Sequence, residues 1–354
     1  MKRGKCHKLN RIEDRLSDLP DCILLHIMSF LNTKRAVQTS ILSTRWRNVW
    51  KYLPKLTLNL TLASSHFNIV SRIFSLRDDS TALDTLNFSP CGLVEPRLLE
   101  RVIEYIVSHN IKQLRMDVIC DIEHFKPCLF SCQTLTYLNL IVIRPHLHAL
   151  TLFPNSLTLP ALTTLSLQYF AFSVGNDGRV EPFSALNKLN SLIINRCKVL
   201  DAQNLCISNT TLVHLKIIAP DSPPKASCKI ELSTPSLSNF YFRGTPIQKL
   251  CGSNGNLSSI KHVTIYVVST SAKTPLVLLN WLVELANIES LTVSPGTLKV
   301  LSFVPDLLEI EFPSLCHLKS LNVKSDLPLC FIPEFPSLVD FLRQNSPSVK
   351  INGI

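Results

Sequence analysis

The chain has 354 residues, 46% of them hydrophobic and 18% charged, and a formal net charge of +10. No apolar run approaches the roughly 18 residues that a membrane-spanning helix needs, and nine glycines give no support for glycine-rich phosphate loops. The basic excess is local: residues 1–60 hold twelve Lys and Arg against four Asp and Glu, and the rest hold 24 against 22, which argues against a long phosphate-tracking nucleic-acid surface there.

Residues 1–12 carry Lys2, Arg3, Lys5, Lys8 and Arg11 without a secretory-type apolar stretch behind them, and read as a basic, disordered leader. A weak nuclear-import signal is the functional alternative. The protein is expected inside the cell, in the nucleus or the cytoplasm.

Residues 13–54 read as a head of three short helices. Ile23, Leu24, Ile27, Met28 and Leu31 recur at helical spacings of three and four behind Pro20, a residue suited to a helix start. Thr33 is placed to cap a second helix whose apolar side is Ala36, Val37 and Ile41. Ser43 or Thr44 is placed to cap a third, carrying Trp46, Val49 and Trp50. A unit of about 40 residues buries little area for its own stability, so part of this apolar surface is expected to meet a partner.

From residue 55 to residue 325 the pattern Leu-x-x-Leu-x-Leu recurs in degenerate form. Its units are Leu83-Leu86-Phe88, Ile111-Leu114-Met116, Leu135-Leu138-Leu140, Leu162-Leu165-Leu167, Leu189-Leu192-Ile194, Leu212-Leu215-Ile217, Leu237-Phe240-Phe242, Ile260-Val263-Ile265, Ile288-Leu291-Val293 and Leu318-Leu321-Val323. Nine intervals between Leu86 and Leu321 give about 26 residues each, a leucine-rich-repeat period. The second and third apolar residues of a unit alternate with polar ones, as in a short strand that turns both inward. The fold class expected is therefore α/β: a small helical head followed by an irregular leucine-rich-repeat solenoid with a parallel sheet on its concave face. Leu56-Leu58-Leu60 offers one more strand at the junction.

Between units, residues 66–76, 96–107 and 275–286 have helical apolar spacing. Residues 141–160 and 219–236 contain prolines that discourage a long helix, and loops or short turns are expected there. Leu338, Phe341 and Leu342 in residues 326–354 suit a C-terminal cap.

The twelve cysteines contain no CxxC pair and read as reduced thiols, with Cys91 and Cys197 in structural turns after strands. His146 and His148 lack cysteine partners at metal spacing, so neither a metal site nor a cofactor is expected. No nucleophile elbow, HExxH or phosphate loop occurs, and no catalytic residue is assigned.

Residues between the two inward positions of each strand must face the concave surface. Within three adjacent strands, His214, Lys216, Tyr241, Arg243, His262 and Tyr266 then fall together. Cations interleaved with aromatics make a candidate anchor for an acidic or phosphorylated protein segment; an ordinary solvated face is the alternative.

The head also resembles a known family. Leu19-Pro20-Asp21, Ile23-Leu24, Ile27, Leu31, Ala36-Val37, Ser40, Leu42-Ser43, Trp46 and Trp50 run in the order and spacing of an F-box. With the repeats behind it, the chain resembles plant F-box proteins with leucine-rich repeats, above all in the run from Leu42 to Trp50. The tail offers no match to the additional C-terminal domain that some of those proteins carry. The resemblance implies a substrate receptor of a Skp-cullin-F-box ubiquitin ligase, itself non-catalytic. Its partners would be a Skp-type adaptor, through it a cullin, and a protein substrate, with no specific nucleic acid and no membrane. By position, Leu19, Pro20, Ile23, Leu24, Ile27, Val37, Leu42 and Trp46 would form or support the adaptor-facing surface. A non-ligase interaction scaffold and a small-molecule sensor remain as other readings of the same parts.

Overall fold

The computed structural model describes residues 16–352 except 17, 61–65, 78–79, 147–148, 156, 175–178, 201–203, 221–228, 247, 253–256, 270–272, 286, 305–316 and 325–348. The basic leader, the expected cap residues Leu338, Phe341 and Leu342, and His148 therefore lie outside the described residues.

The head contains α1 (Asp21–Ser29) and α2 (Thr33–Gln38), followed by 3₁₀ turns at Thr39–Ile41 and Val49–Tyr52. The third helix expected from the Trp46, Val49 and Trp50 stripe is thus a turn, then one 3₁₀ segment. Nine residues separate Ser43 from Leu53, where the backbone is already extended, and so short a stretch barely exceeds a costly helical nucleus. The tryptophans are buried all the same, with Leu24, Met28, Ala36, Val49 and Leu53.

Thr33 does not cap α2. Asn32 does, its side chain accepting the Arg35 N–H at 2.9 Å. The Thr33 hydroxyl, 1% exposed, instead accepts the backbone N–H of Thr57 at 2.7 Å.

Thr57 lies on the first strand of a mixed α/β body with a large parallel sheet and few helices. In chain order the body comprises β1 (Lys55–Leu58), α3 (His66–Leu76), β2 (Thr85–Phe88), α4 (Pro96–Ser108), β3 (Gln113–Ile119), β4 (Tyr137–Ile143), β5 (Thr151–Phe153), β6 (Thr164–Gln168), β7 (Phe170–Phe172), β8 (Ser191–Asn195) and β9 (Lys198–Val199). It continues with β10 (Asn204–Ser208), β11 (His214–Ile218), β12 (Lys229–Ser233), β13 (Asn239–Gly244), β14 (Leu250–Gly252), β15 (His262–Val267), α5 (Thr274–Glu284), β16 (Ser290–Val293), α6 (Pro295–Leu301), β17 (Ser320–Val323) and β18 (Lys350–Asn352).

Twelve of these strands form one sheet in the order β1-β2-β3-β4-β6-β8-β11-β13-β15-β16-β17-β18, every pairing parallel. Its register aligns the units: Leu165, Leu192, Leu215, Phe240 and Val263 are successive partners, as are Leu167, Ile194, Ile217, Phe242 and Ile265. Both rows are buried. A relay at the start of the strands fixes this register, because the carbonyl before one strand accepts two N–H groups of the next unit. Thr136 O takes the N–H groups of Thr163 and Thr164, Thr163 O those of Asn190 and Ser191, and Asn190 O those of Val213 and His214.

The three helices expected between units are α3, α4 and α5. The two stretches where loops were expected contain the strands β5 and β12, and these belong to two small parallel sheets, β5-β7-β9 and β10-β12-β14. A cluster of phenylalanine rings backs the first, with Phe153 5.4 Å from Phe130 and 5.7 Å from Phe170 and Phe172. Behind the second, Trp281 of α5 is fully buried, sits edge-on to Phe242 at 4.7 Å and donates its indole N–H to Gln248 O at 2.8 Å.

The head is joined to the sheet at more than Thr33. Ile73 of α3 packs against both the head core and the sheet core. Arg77, 4% exposed, donates to the carbonyls of Leu53, Thr81 and Ala82 at 2.8, 3.0 and 3.1 Å, which satisfies backbone acceptors where the chain leaves the head.

Candidate functional sites on the head and on the sheet face

On the head, the structure divides the eight residues assigned to the adaptor surface. Leu24 and Trp46 are buried in the head core and offer no side-chain surface to a partner. Leu19, Ile27 and Val37 are half-buried, each with one side against that core. Pro20, Ile23 and Leu42 are exposed.

Ile41 and Phe30 are also offered to solvent. Ile41 is 88% exposed, Phe30 76% and Leu42 66%. Ile41 was assigned to the apolar side of the second helix, but α2 stops at Gln38 and the following 3₁₀ turn swings it outward. Phe30 had a legible signal: it falls off the stripe of Leu24, Ile27, Met28 and Leu31, and an aromatic off the apolar stripe of an amphipathic helix has no core to enter. An ion pair between Arg45 and Asp21 at 3.1 Å ties the segment after the turn back to the start of α1.

On the sheet, His214, Lys216, Tyr241, Arg243, His262 and Tyr266 all lie on one face of β11, β13 and β15. Lys216 is the register partner of Tyr241, Arg243 that of Tyr266, and Asn239 separates His214 from His262. The Lys216 ammonium stands 4.5 Å from the centre of the Tyr241 ring, and that ring meets Tyr266 edge-on at 5.7 Å and 83°. Cation, ring and ring thus form one connected row.

Other charged groups form local structural pairs. Glu289 is gripped by Lys319 at 2.6 Å and Lys261 at 2.9 Å; the hydrogen bond from Lys319, then that from Lys261, brings its carboxyl down to about 2. The hydrogen bond from Arg144 likewise lowers Asp121, which also meets His146 at 3.1 Å. The eight described cysteines are free thiols. Burial raises Cys197 to about 12, consistent with a structural place, whereas Cys91 is exposed. Among the described residues no group of three or more His, Cys, Asp or Glu is arranged to hold a metal ion, and no helix is long and apolar enough to cross a membrane.

Comparison with known proteins bears on the head first. Residues 16–58 match the F-box domain. The chain carries an F-box at its amino-terminal side. Beyond it, the chain is similar to an F-box/LRR-repeat protein of Arabidopsis thaliana, 26% identical over 333 residues that cover 88% of this chain and 85% of the relative. A second F-box/LRR-repeat protein of that plant is described as putative. It is 26% identical over 356 residues, which cover 97% of this chain and 72% of the relative. An F-box/FBD/LRR-repeat protein of the same plant is 30% identical over 231 residues; that match takes in 60% of this chain and spans about half of the relative, 48%. The F-box, the repeats and the plant relationship read from the sequence thus have counterparts over most of the chain.

Proposed function

We propose that this chain is the substrate-recognition subunit of a Skp-cullin-F-box ubiquitin ligase. On this reading residues 13–54 form the F-box, residues 55–325 a leucine-rich-repeat solenoid, residues 1–12 a basic leader and residues 326–354 a C-terminal cap. The Skp-type adaptor docks on the head and brings the cullin with it, and a protein substrate binds the sheet face. The chain supplies no catalytic residue. It speeds ubiquitin transfer by raising the effective concentration of substrate beside a charged partner subunit, in the nucleus or the cytoplasm.

The observation that carries this reading is the F-box match over residues 16–58, together with exposed Ile23, Phe30, Ile41 and Leu42 on that same segment. Four large apolar side chains in solvent on so small a unit favour a protein partner over an isolated fold. The contacts of buried Thr33 and Arg77 and half-buried Ile73 support a fixed placement of the sheet face relative to a docked adaptor, which transfer geometry requires.

The test is reconstitution. The full chain, mixed with a Skp-type adaptor, cullin and the charged ubiquitin-conjugating machinery, is expected to co-purify with adaptor and cullin and to direct ubiquitin onto proteins that it captures from plant extract. A chain that binds the adaptor but promotes no transfer to any captured protein would replace the ligase reading with an interaction scaffold.

A further inference from the structure

From β4 to β17 the outward face of the large sheet has a one-sided charge. The eight strands β4, β6, β8, β11, β13, β15, β16 and β17 contain no Asp or Glu at all. Their ionisable groups other than tyrosine are Lys216, Arg243, His214 and His262, all on the outward face of β11, β13 and β15. Glu289, just before β16, is already held by Lys261 and Lys319.

Arg243 is exposed and Lys216 half-buried, and both have apolar neighbours. Ile193 is the register partner of Lys216, and Ile218 that of Arg243, so two half-buried aliphatic side chains lie beside the two charges. Tyr241 and Tyr266 complete the patch from the other side. Lys216 and Arg243 occupy neighbouring strands two residues out of step, which sets their backbones about 8 Å apart. Two carboxylates two positions apart on an extended peptide are separated by roughly 7 Å. Two single charges on neighbouring strands, two residues out of step, match that pair better than they match one compact phosphate.

Building on the proposal that the sheet face captures protein substrates, we infer that Lys216 and Arg243 recognise an extended acidic segment of the substrate. That segment carries two Asp or Glu residues two positions apart, next to an apolar residue that rests on Ile193 and Ile218. Each cation makes a charge-assisted hydrogen bond to one carboxylate, and Tyr241 and Tyr266 wall the site against water.

The test selects ten-residue peptides from a random display library on the full chain bound to its adaptor. Sequences with paired carboxylates beside an apolar residue are expected to be enriched. A synthetic peptide of that type is expected to bind about 10- to 100-fold more weakly to K216Q/R243Q and to lose affinity as salt rises. The charge-preserving K216R/R243K variant controls for the fold and is expected to keep most of the binding. Failure to enrich any peptide, enrichment without carboxylates, or binding indifferent to K216Q/R243Q at an unchanged melting temperature would overturn the inference. So would a phosphoserine version of the peptide that binds while the acidic one does not. Acidic peptides that bind a chain unable to hold the adaptor would uphold this site and sink the ligase reading instead.

Discussion

Replacing Thr33 by Val tests the joint between head and sheet. Valine keeps the volume and branching of threonine but removes the hydroxyl that accepts the Thr57 N–H at 2.7 Å. Thr33 is 1% exposed, and half-buried Thr57 lies on β1, the end strand of the sheet, so no further strand replaces the lost acceptor. A part-buried N–H that loses its protein acceptor costs about 1 kcal/mol, with no cavity term because the shape is conserved. Urea unfolding of the full chain by linear extrapolation is expected to show that loss, and hydrogen exchange is expected to quicken at the Thr57 amide. Thr33→Ser keeps the hydroxyl and is expected to cost about 0.8 kcal/mol for the missing methyl, without quickening that amide. Asn32→Ala removes the cap seen in the structure and is expected to cost about 1 kcal/mol, freeing amides in α2 and not in β1. A Thr33→Val protein within about 0.5 kcal/mol of the parent, with unchanged Thr57 exchange, would refute the joint.

Gly244→Ala is expected to destabilise the sheet by about 1–3 kcal/mol, because Gly244 has φ +145° and a Cβ there would stand 2.4 Å from that of Ala219; a melting curve superimposable on the parent's would refute it. Glu289 is expected to titrate near 2 by carbon-detected NMR and to rise towards the usual glutamate range in Lys319→Ala. Since its folded-state value is depressed, the contribution of this group to stability is present above the usual range and is lost as pH falls through it towards 2. With iodoacetamide near pH 8, exposed Cys22 and Cys91 are expected to be alkylated before Cys197 and Cys206, whose thiols burial raises to about 12 and about 11; mass spectrometry of the labelled peptides gives the order.

The main sheet was legible because each unit imposes period-two alternation on a strand with two buried positions, as in Leu192 and Ile194 or Val263 and Ile265. Strand β18 was missed because Lys350, Ile351 and Asn352 offer one apolar residue between two polar ones, too short for any period to register. The small sheets were missed for a related reason: Thr151–Phe153 and Lys229–Ser233 are brief, lie among prolines and acquire strand identity only from partners about 20 residues away. In the head, periodicity located the buried tryptophans but not the turn geometry around them, since a stripe at spacings of three and four fits 3₁₀ and α-helical winding alike over so few residues. Thr33 had the chemistry of a cap and the position of a tether, a choice decided by tertiary contact with β1. The six sheet-face residues follow from alternation alone, whereas the contact between Lys216 and the Tyr241 ring depends on side-chain direction, which no spacing encodes.

The central claim is that the head is built to hold a second protein, and calorimetric titration of the purified full chain with a Skp-type adaptor tests it most directly. Stoichiometric binding is predicted for the parent chain. Ile41→Asp combined with Leu42→Asp is predicted to weaken it by about 100-fold or more, with the melting temperature unchanged because both side chains are exposed. A correctly folded parent chain that gives no heat of binding, or a double variant that binds as tightly as the parent, would contradict the account.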